Sequence, residues 1–250
     1  MVYFDLETNG FYKEGVENSA RITQIAAEAI VGGTKYVFSE VCNPEAPISQ
    51  RVLDLTHLTK QKLLRARSFR VVLPSFFDFL RDIARDHSCS IILVAYNNFN
   101  FDAQVLARNC RSIGINFIEC CRRASVTGFA DALVWCKECV LPNSLKKNAR
   151  GKPSFKLMDV YSSMFNSVFE NAHDATADTA ALRRICTDGP CVSKSFVEYV
   201  QTETRSPMNI LQVVTQFKEK PKRILYSSFD LARFLVQTHF PLEISCAPDA

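Results

Sequence analysis

The chain has 250 residues, of which 47% are hydrophobic and 22% charged, with a formal net charge of +4. That length suits one large α/β domain or two small ones; the apolar content excludes a mainly disordered chain, and only 8 glycines with no repeating period exclude a fibrous or solenoid one. No run of about 18 uncharged apolar residues is present to cross a membrane as a helix, and so mild a charge leaves any nucleic-acid surface to local clustering.

In chain order, Met1–Leu6 reads as a strand that begins almost at the first residue, as in a domain trimmed from a longer protein. Ile22–Ile30 and Lys35–Val41 alternate well enough to be two more strands, joined by a Gly32-Gly33 hairpin turn. Short helices are expected at Ser49–Leu55 and at Lys60–Arg65, the second capped by Thr59. Phe69–Arg85 has helical apolar spacing, with Pro74 predicting a start near that residue. Ser90–Ala95 is an apolar run of strand length, as for a strand covered on both faces. Next come a helix at Phe99–Cys110, a short strand at Asn116–Cys120 and a helix at Asp131–Cys139. Pro142–Ser154 reads as a basic loop, followed by helices at Phe155–Phe165, Asp174–Cys186 and Ser193–Gln201. The expected division is a domain over 1–205 and a helical tail over 206–250, with helices at Met208–Phe217 and Ser228–Gln237, packing back on the domain.

Ten cysteines without a secretory leader are expected as thiols in a reducing intracellular compartment, cytoplasmic or nuclear. Cys120, Cys121, Cys136 and Cys139 are the most metal-like group. Adjacent cysteines rarely both face one ion, however, and 136 and 139 share a helix face, so no structural zinc is expected.

Three groups of carboxylates carry the chemistry. Asp5 and Glu7 alternate along the first strand and therefore share a face, which is costly in a core strand without a cation. Asp102 stands just beyond the strand at Ser90–Ala95, at a helix start, where ligands gather in open α/β sheets. Asp174 can cap the next acidic helix, leaving His173 before it and Asp178 one turn inside; Ala175, Ala177, Ala180 and Ala181 let that helix approach the sheet closely. Each group alone has a plain structural explanation. Together they offer four hard oxygen ligands, which select Mg²⁺ or Mn²⁺ over zinc. Two such ions about 4 Å apart suit in-line displacement at phosphorus, with a histidine as general base.

Phe4–Thr8, Asn97–Asp102 and His173–Asp178 resemble, in order, separation and all five namesake residues, the three motifs of the DEDDh 3′→5′ exonuclease family, over roughly Met1–Gly189. The resemblance implies an α/β ribonuclease-H-like fold, a mixed five-stranded sheet flanked by helices. It implies catalytic Asp5, Glu7, Asp102, His173 and Asp178, with the four acids holding two Mg²⁺ ions that Mn²⁺ can replace. Leu93–Asn97 with Phe101–Asp102, Phe155–Phe165 behind its basic loop, and Ala172–Ile185 are similar to the TREX-like group. Phe4–Gly10 is also similar to the exonuclease-like domain of the long promyelocytic leukaemia protein isoform and its fish relatives. Tyr96 stands where the family often has His, which implies altered substrate fit rather than lost chemistry.

Glu7, Thr8, Phe11, Tyr96, Phe101 and His173 are the substrate-contacting positions that the resemblance implies, with Phe11 and Phe101 beside the terminal nucleotide. Plain core packing is the alternative for both phenylalanines. Lys146, Lys147, Arg150 and Lys152 read either as phosphate contacts or as a solvated loop; Lys218, Lys220, Lys222 and Arg223 read as solvated. The implied partner is nucleic acid, with DNA 3′ ends preferred, and a homodimer is expected. A 3′→5′ exoribonuclease and an inactive nucleic-acid-binding or scaffold module of the same fold are the competing functions, the latter disfavoured by five intact site residues.

Overall fold

The computed structural model describes residues 1–13, 19–169 and 173–216. Alternation along β1 (Val2–Thr8) sends Val2, Phe4 and Leu6 into one core and Tyr3 into another. Asp5 and Glu7 lie on the Tyr3 side of the strand. β2 (Ile22–Val31) and β3 (Thr34–Asn43) form an antiparallel hairpin. Gly32 and Gly33 turn it at φ 57° and 80°, where other residues would be strained. β4 (Arg67–Ser68), β5 (Ile91–Ala95) and β6 (Val126–Asp131) complete a sheet of order β4-β3-β2-β1-β5-β6. β1 runs antiparallel to β2 and parallel to β5, and β5 is parallel to β6. The sheet is therefore mixed, as expected, but has six strands rather than five, because a two-residue strand after α2 (Lys60–Arg65) pairs with the end of β3.

One face of the sheet is covered by α3 (Phe69–His87), α4 (Asp102–Ser112), α5 (Phe117–Arg123) and α10 (Pro207–Gln216). The other core is built by α6 (Ala132–Cys139), α7 (Leu157–Phe165), α8 (Ala175–Asp188) and α9 (Phe196–Val200) around Trp135, Leu182 and Phe196. α1 (Gln50–Thr56) follows β3, and both it and α2 begin at side-chain caps, Ser49 and Thr59. The helix expected at Ser228–Gln237 and the cations at 218–223 lie outside the described residues. Among the described residues no helix is long and apolar enough to cross a membrane.

Three local expectations are corrected. α3 begins at Phe69, with Pro74 inside it. An interior proline costs about 3 kcal/mol, but the Ser68 cap and the burial of Phe69, Val72 and Leu73 ahead of it outweigh that loss. Residues 117–123 are a helix rather than a strand: Asn116 caps it and Phe117 and Cys121, one turn apart, face the core. The strand is β6 instead, paired along its length with β5 and buried through Gly128–Asp131.

Phe76 is fully buried against the rings of Phe4, Phe38 and Phe77 at 6.2, 5.6 and 5.8 Å. Phe76→Ala should therefore destabilise the chain by about 3–5 kcal/mol in urea unfolding. A loss under about 1 kcal/mol, the size of a well-tolerated repacking, would contradict the packing of α3 on the sheet.

Candidate active site

The first acids arrive by strand geometry. Glu7 pairs with Gln24 across the β1–β2 ladder, and a register shift follows between Glu7 and Thr8. Gln24 is buried and its Oε1 accepts from Ala175 N at 3.5 Å, tying the start of α8 to the strand beside Glu7. Further anchors hold α8 in place: Glu28 pairs with Arg183 and, at 2.8 Å, with Lys35, and Thr176 meets Ser39 at 2.8 Å. Of the four alanines expected to let α8 approach the sheet, Ala175 and Ala181 are buried and Ala177 and Ala180 are half-buried.

α8 carries the third group. Asp174 caps it, accepting from Thr176 N at 2.8 Å and Ala177 N at 3.3 Å. His173 sits just before the cap at φ 68° and is exposed; its backbone N–H donates to Asp178 Oδ2 at 3.1 Å. This bond holds His173 against the first turn of α8. Ligand atoms of Glu7, His173 and Asp178 consequently all lie within 4.8 Å of one another.

Asp102, at the start of α4, is buried, and its Oδ1 accepts from Leu6 N at 3.2 Å. The bond fastens this carboxylate to β1 at the residue between Asp5 and Glu7. A further acid, Asp131, was not singled out in the sequence; it is buried at the end of β6 and accepts backbone N–H bonds from both the β5–α4 turn and α6. A lone Asp before a helix reads only as a cap, so the sequence held no other signal for it.

The electrostatics are those of acids without a counter-charge. Burial, followed by the charges of Asp178 and Asp174, pushes Asp5 well above the usual carboxylate range. Glu7 is pushed up to about 9 by burial, then by Asp5, Asp178 and Asp174. Burial and the charge of Asp5 raise Asp102 well above its ordinary value, against the opposing Leu6 N–H. Asp178 is raised to about 6 by burial, opposed by the His173 N–H and reinforced by Asp174. No ion pair among the described residues includes any of these four acids. An all-oxygen donor set that repels itself fits hard divalent cations.

Because these carboxyls have raised folded pKa values, the folded chain binds more protons than the unfolded one. Their contribution to stability is full below the ordinary carboxylate pKa of about 4. It is lost as pH rises through about 6 for Asp178 and about 9 for Glu7. A bound cation favours the ionised forms. Mg²⁺ or Mn²⁺ should accordingly raise the melting temperature more at pH 8 than at pH 5, and equal increments at the two pH values would remove the acids from the binding site.

The other expected substrate positions separate. Phe11 is 80% exposed, which rules out core packing, and its ring meets Phe101 edge-on at 6.3 Å. Phe101 is half-buried against the first core. Thr8 is buried and donates its hydroxyl to Gly10 O at 2.8 Å, shaping the turn that presents Phe11. Tyr96 donates its hydroxyl to Phe155 O at 2.7 Å and packs with the second core, so that hydroxyl bonds to the chain itself. A cavity of about 480 Å³ opens beside Phe11, lined also by Lys13, Pro47, Arg51, Val52 and Leu55. Arg51 and Leu55 were not singled out from the sequence, since α1 carries no motif of its own. Lys146, Lys147, Arg150 and Lys152 are exposed on a hairpin whose tip is closed by Asn148, which accepts from Arg150 N and Lys152 N at 2.9 and 3.2 Å. The cations are thus held on an ordered backbone.

Solved structures share this architecture. E. coli exonuclease I in complex with a dT13 oligonucleotide aligns with TM-score 0.57 at 17% identity, over 85% of this chain and 42% of that one. The zinc-bound form of the E. coli exonuclease I–ssDNA complex gives 0.57 at 19% identity, over 86% and 42%. A 3′-exonuclease solved in 3′-end-specific recognition of a histone mRNA stem-loop gives 0.53 at 13% identity, over 76% and 83%. The chain therefore spans less than half the length of exonuclease I, and at these identities the likeness shows the fold, a ribonuclease-H-like α/β sheet. No curated protein sequence matches the chain. The exonuclease pattern RNase_T matches residues 2–186, which takes in every acid of the cluster, and the chain belongs to that exonuclease family.

Proposed function

We propose that the chain is a metal-dependent 3′→5′ exonuclease of the DEDDh type that releases nucleoside 5′-monophosphates from DNA 3′ ends. The observation that carries this reading is the convergence of Glu7, His173 and Asp178 within 4.8 Å, beside Asp5 and Asp102. Asp5, Glu7, Asp102 and Asp178 would hold two Mg²⁺ or Mn²⁺ ions, which when bound supply positive charge at the scissile phosphate. His173, exposed at the rim, accepts the proton of the attacking water at a ring nitrogen. Phe11 and Phe101 form an aromatic ledge beside Asp102 on which a terminal base can stack without regard to its identity. A neighbouring cavity adjoins that ledge at Phe11, with Lys13 and Arg51 in its wall, and the 146–152 hairpin offers contacts to phosphates upstream of the scissile one.

The preference for DNA rests on the likeness to the TREX-like group, which also carries the expectation of a homodimer. Hydrolysis of RNA uses the same acids and the same base. Matched single-stranded DNA and RNA, each with Mg²⁺ or EDTA and read for mononucleotide release, separate the two. Release from DNA only with metal is expected; release from RNA alone makes the chain an exoribonuclease, and release from neither makes it a binding module.

A further inference from the structure

The acids of the cluster do not themselves explain what keeps Asp102 in place. The turn that leads to it, 97–101, begins at Asn97 with φ 68° and closes on itself through Asn100 N and Phe101 N, both donating to Asn97 O at 3.2 and 3.0 Å. Its far end is fixed by Asp102 accepting from Leu6 N at 3.2 Å. Its near end is gripped by Asp131, which has no exposed surface. Asp131 Oδ1 accepts from Asn97 N at 3.0 Å and Oδ2 from Phe99 N at 3.0 Å. The same Oδ1 accepts from Leu133 N at 2.9 Å and Val134 N at 3.4 Å.

Capping α6 needs only the last two bonds, and a serine would supply them. The bonds to Asn97 and Phe99 cross to a different element and do nothing for α6. Between them, the fully buried Asn98 donates Nδ2 to Leu93 O at 3.1 Å and Ala130 O at 2.8 Å, closing the ends of β5 and β6. The turn is thus held at three consecutive residues.

We propose that Asp131 is a positioning residue: by holding the turn at Asn97 and Phe99 it fixes Asp102 against β1, and so sets the affinity of the carboxylate cluster for a divalent cation. This rests on the exonuclease reading of that cluster. The reason is geometric, since a carboxylate ligand freed to wander binds a hard cation less well, and loss of such a supporting partner typically weakens metal affinity or activity about 10–100-fold.

The test uses the whole chain and Mn²⁺ itself, with binding read from the spin resonance of free Mn²⁺, alongside melting temperature and mononucleotide release. Asp131→Ser keeps a cap for α6 but is too short to reach the turn. Asp131→Asn, of the same size, turns an N–H₂ toward one of the backbone donors and serves as the second variant. Either should bind Mn²⁺ about 10–100-fold more weakly, with turnover largely recovered at saturating Mn²⁺. Asn116→Ala, which removes the cap of α5 made by its Oδ1 and Glu119 N at 3.1 Å, should lower the melting temperature and leave Mn²⁺ binding unchanged. Wild-type Mn²⁺ affinity in a folded Asp131 variant overturns the proposal, as does equal weakening in Asn116→Ala. A wild-type chain that neither binds Mn²⁺ nor releases nucleotides overturns the exonuclease reading, and this inference with it.

Discussion

Asp5→Asn should reduce nucleotide release by about 10³-fold or more while leaving the metal-free chain as stable as the wild type, or more stable. Loss of a single electrostatic stabiliser in an active site already costs about 10²–10³-fold, and on the proposed mechanism the substitution removes one of four carboxylates that would hold the cations. Stability moves the other way because Asp5 is an acid that burial and the charges of Asp178 and Asp174 oppose. An isosteric amide removes that repulsion and lowers the desolvation cost. In EDTA at pH 8 the variant should therefore melt at or above the wild-type temperature, and added Mn²⁺ should raise it by less. Glu7→Gln and Asp102→Asn should behave in the same way, since both acids are raised by burial and by Asp5. Full turnover by Asp5→Asn, or by wild type in EDTA, would remove the metal mechanism.

His173→Ala should slow turnover about 10²–10⁴-fold, the usual loss for a general base, without emptying the cation site. The imidazole lies within 4.8 Å of the Glu7 and Asp178 oxygens, yet it is exposed and its backbone N–H, not its ring, makes the bond to Asp178. Truncating the ring leaves that backbone bond intact, so Asp178 should keep its place. Mn²⁺ binding should stay within a few-fold of wild type, and added imidazole should restore part of the rate. Asp178→Asn should contrast by weakening Mn²⁺ binding as well. A His173→Ala chain that turns over within a few-fold of wild type would assign His173 to the loop and not to the chemistry.

The two acids on β1 were legible because strand alternation is a local rule. Once Met1–Leu6 is a strand, Asp5 and Glu7 share a face whatever the rest of the fold does. The caps at Thr59 and Asp174 were legible for a similar reason, since each bonds a backbone N–H within three residues of itself. β6 and α5 were not. Val126–Asp131 lies beside β5, buried except for Thr127, and carries no sustained alternation to betray it, and the short apolar stretch 116–120 has no pattern that separates a strand from a turn of helix.

The residues themselves thus determined which groups are available: four acids, a histidine, two aromatic side chains near them and a cluster of cations. Which of these meet was decided only by the tertiary structure. The β1–β2 register sets Gln24 opposite Glu7 and so docks α8, the backbone bond from Leu6 seats Asp102, and the turn after Thr8 leaves Phe11 in solvent while Tyr96 is drawn to Phe155. The bonds that dock α8, seat Asp102 and draw in Tyr96 join residues 151, 96 and 59 positions apart. No periodicity along the chain encodes them, because they follow from burying two faces of one sheet at once.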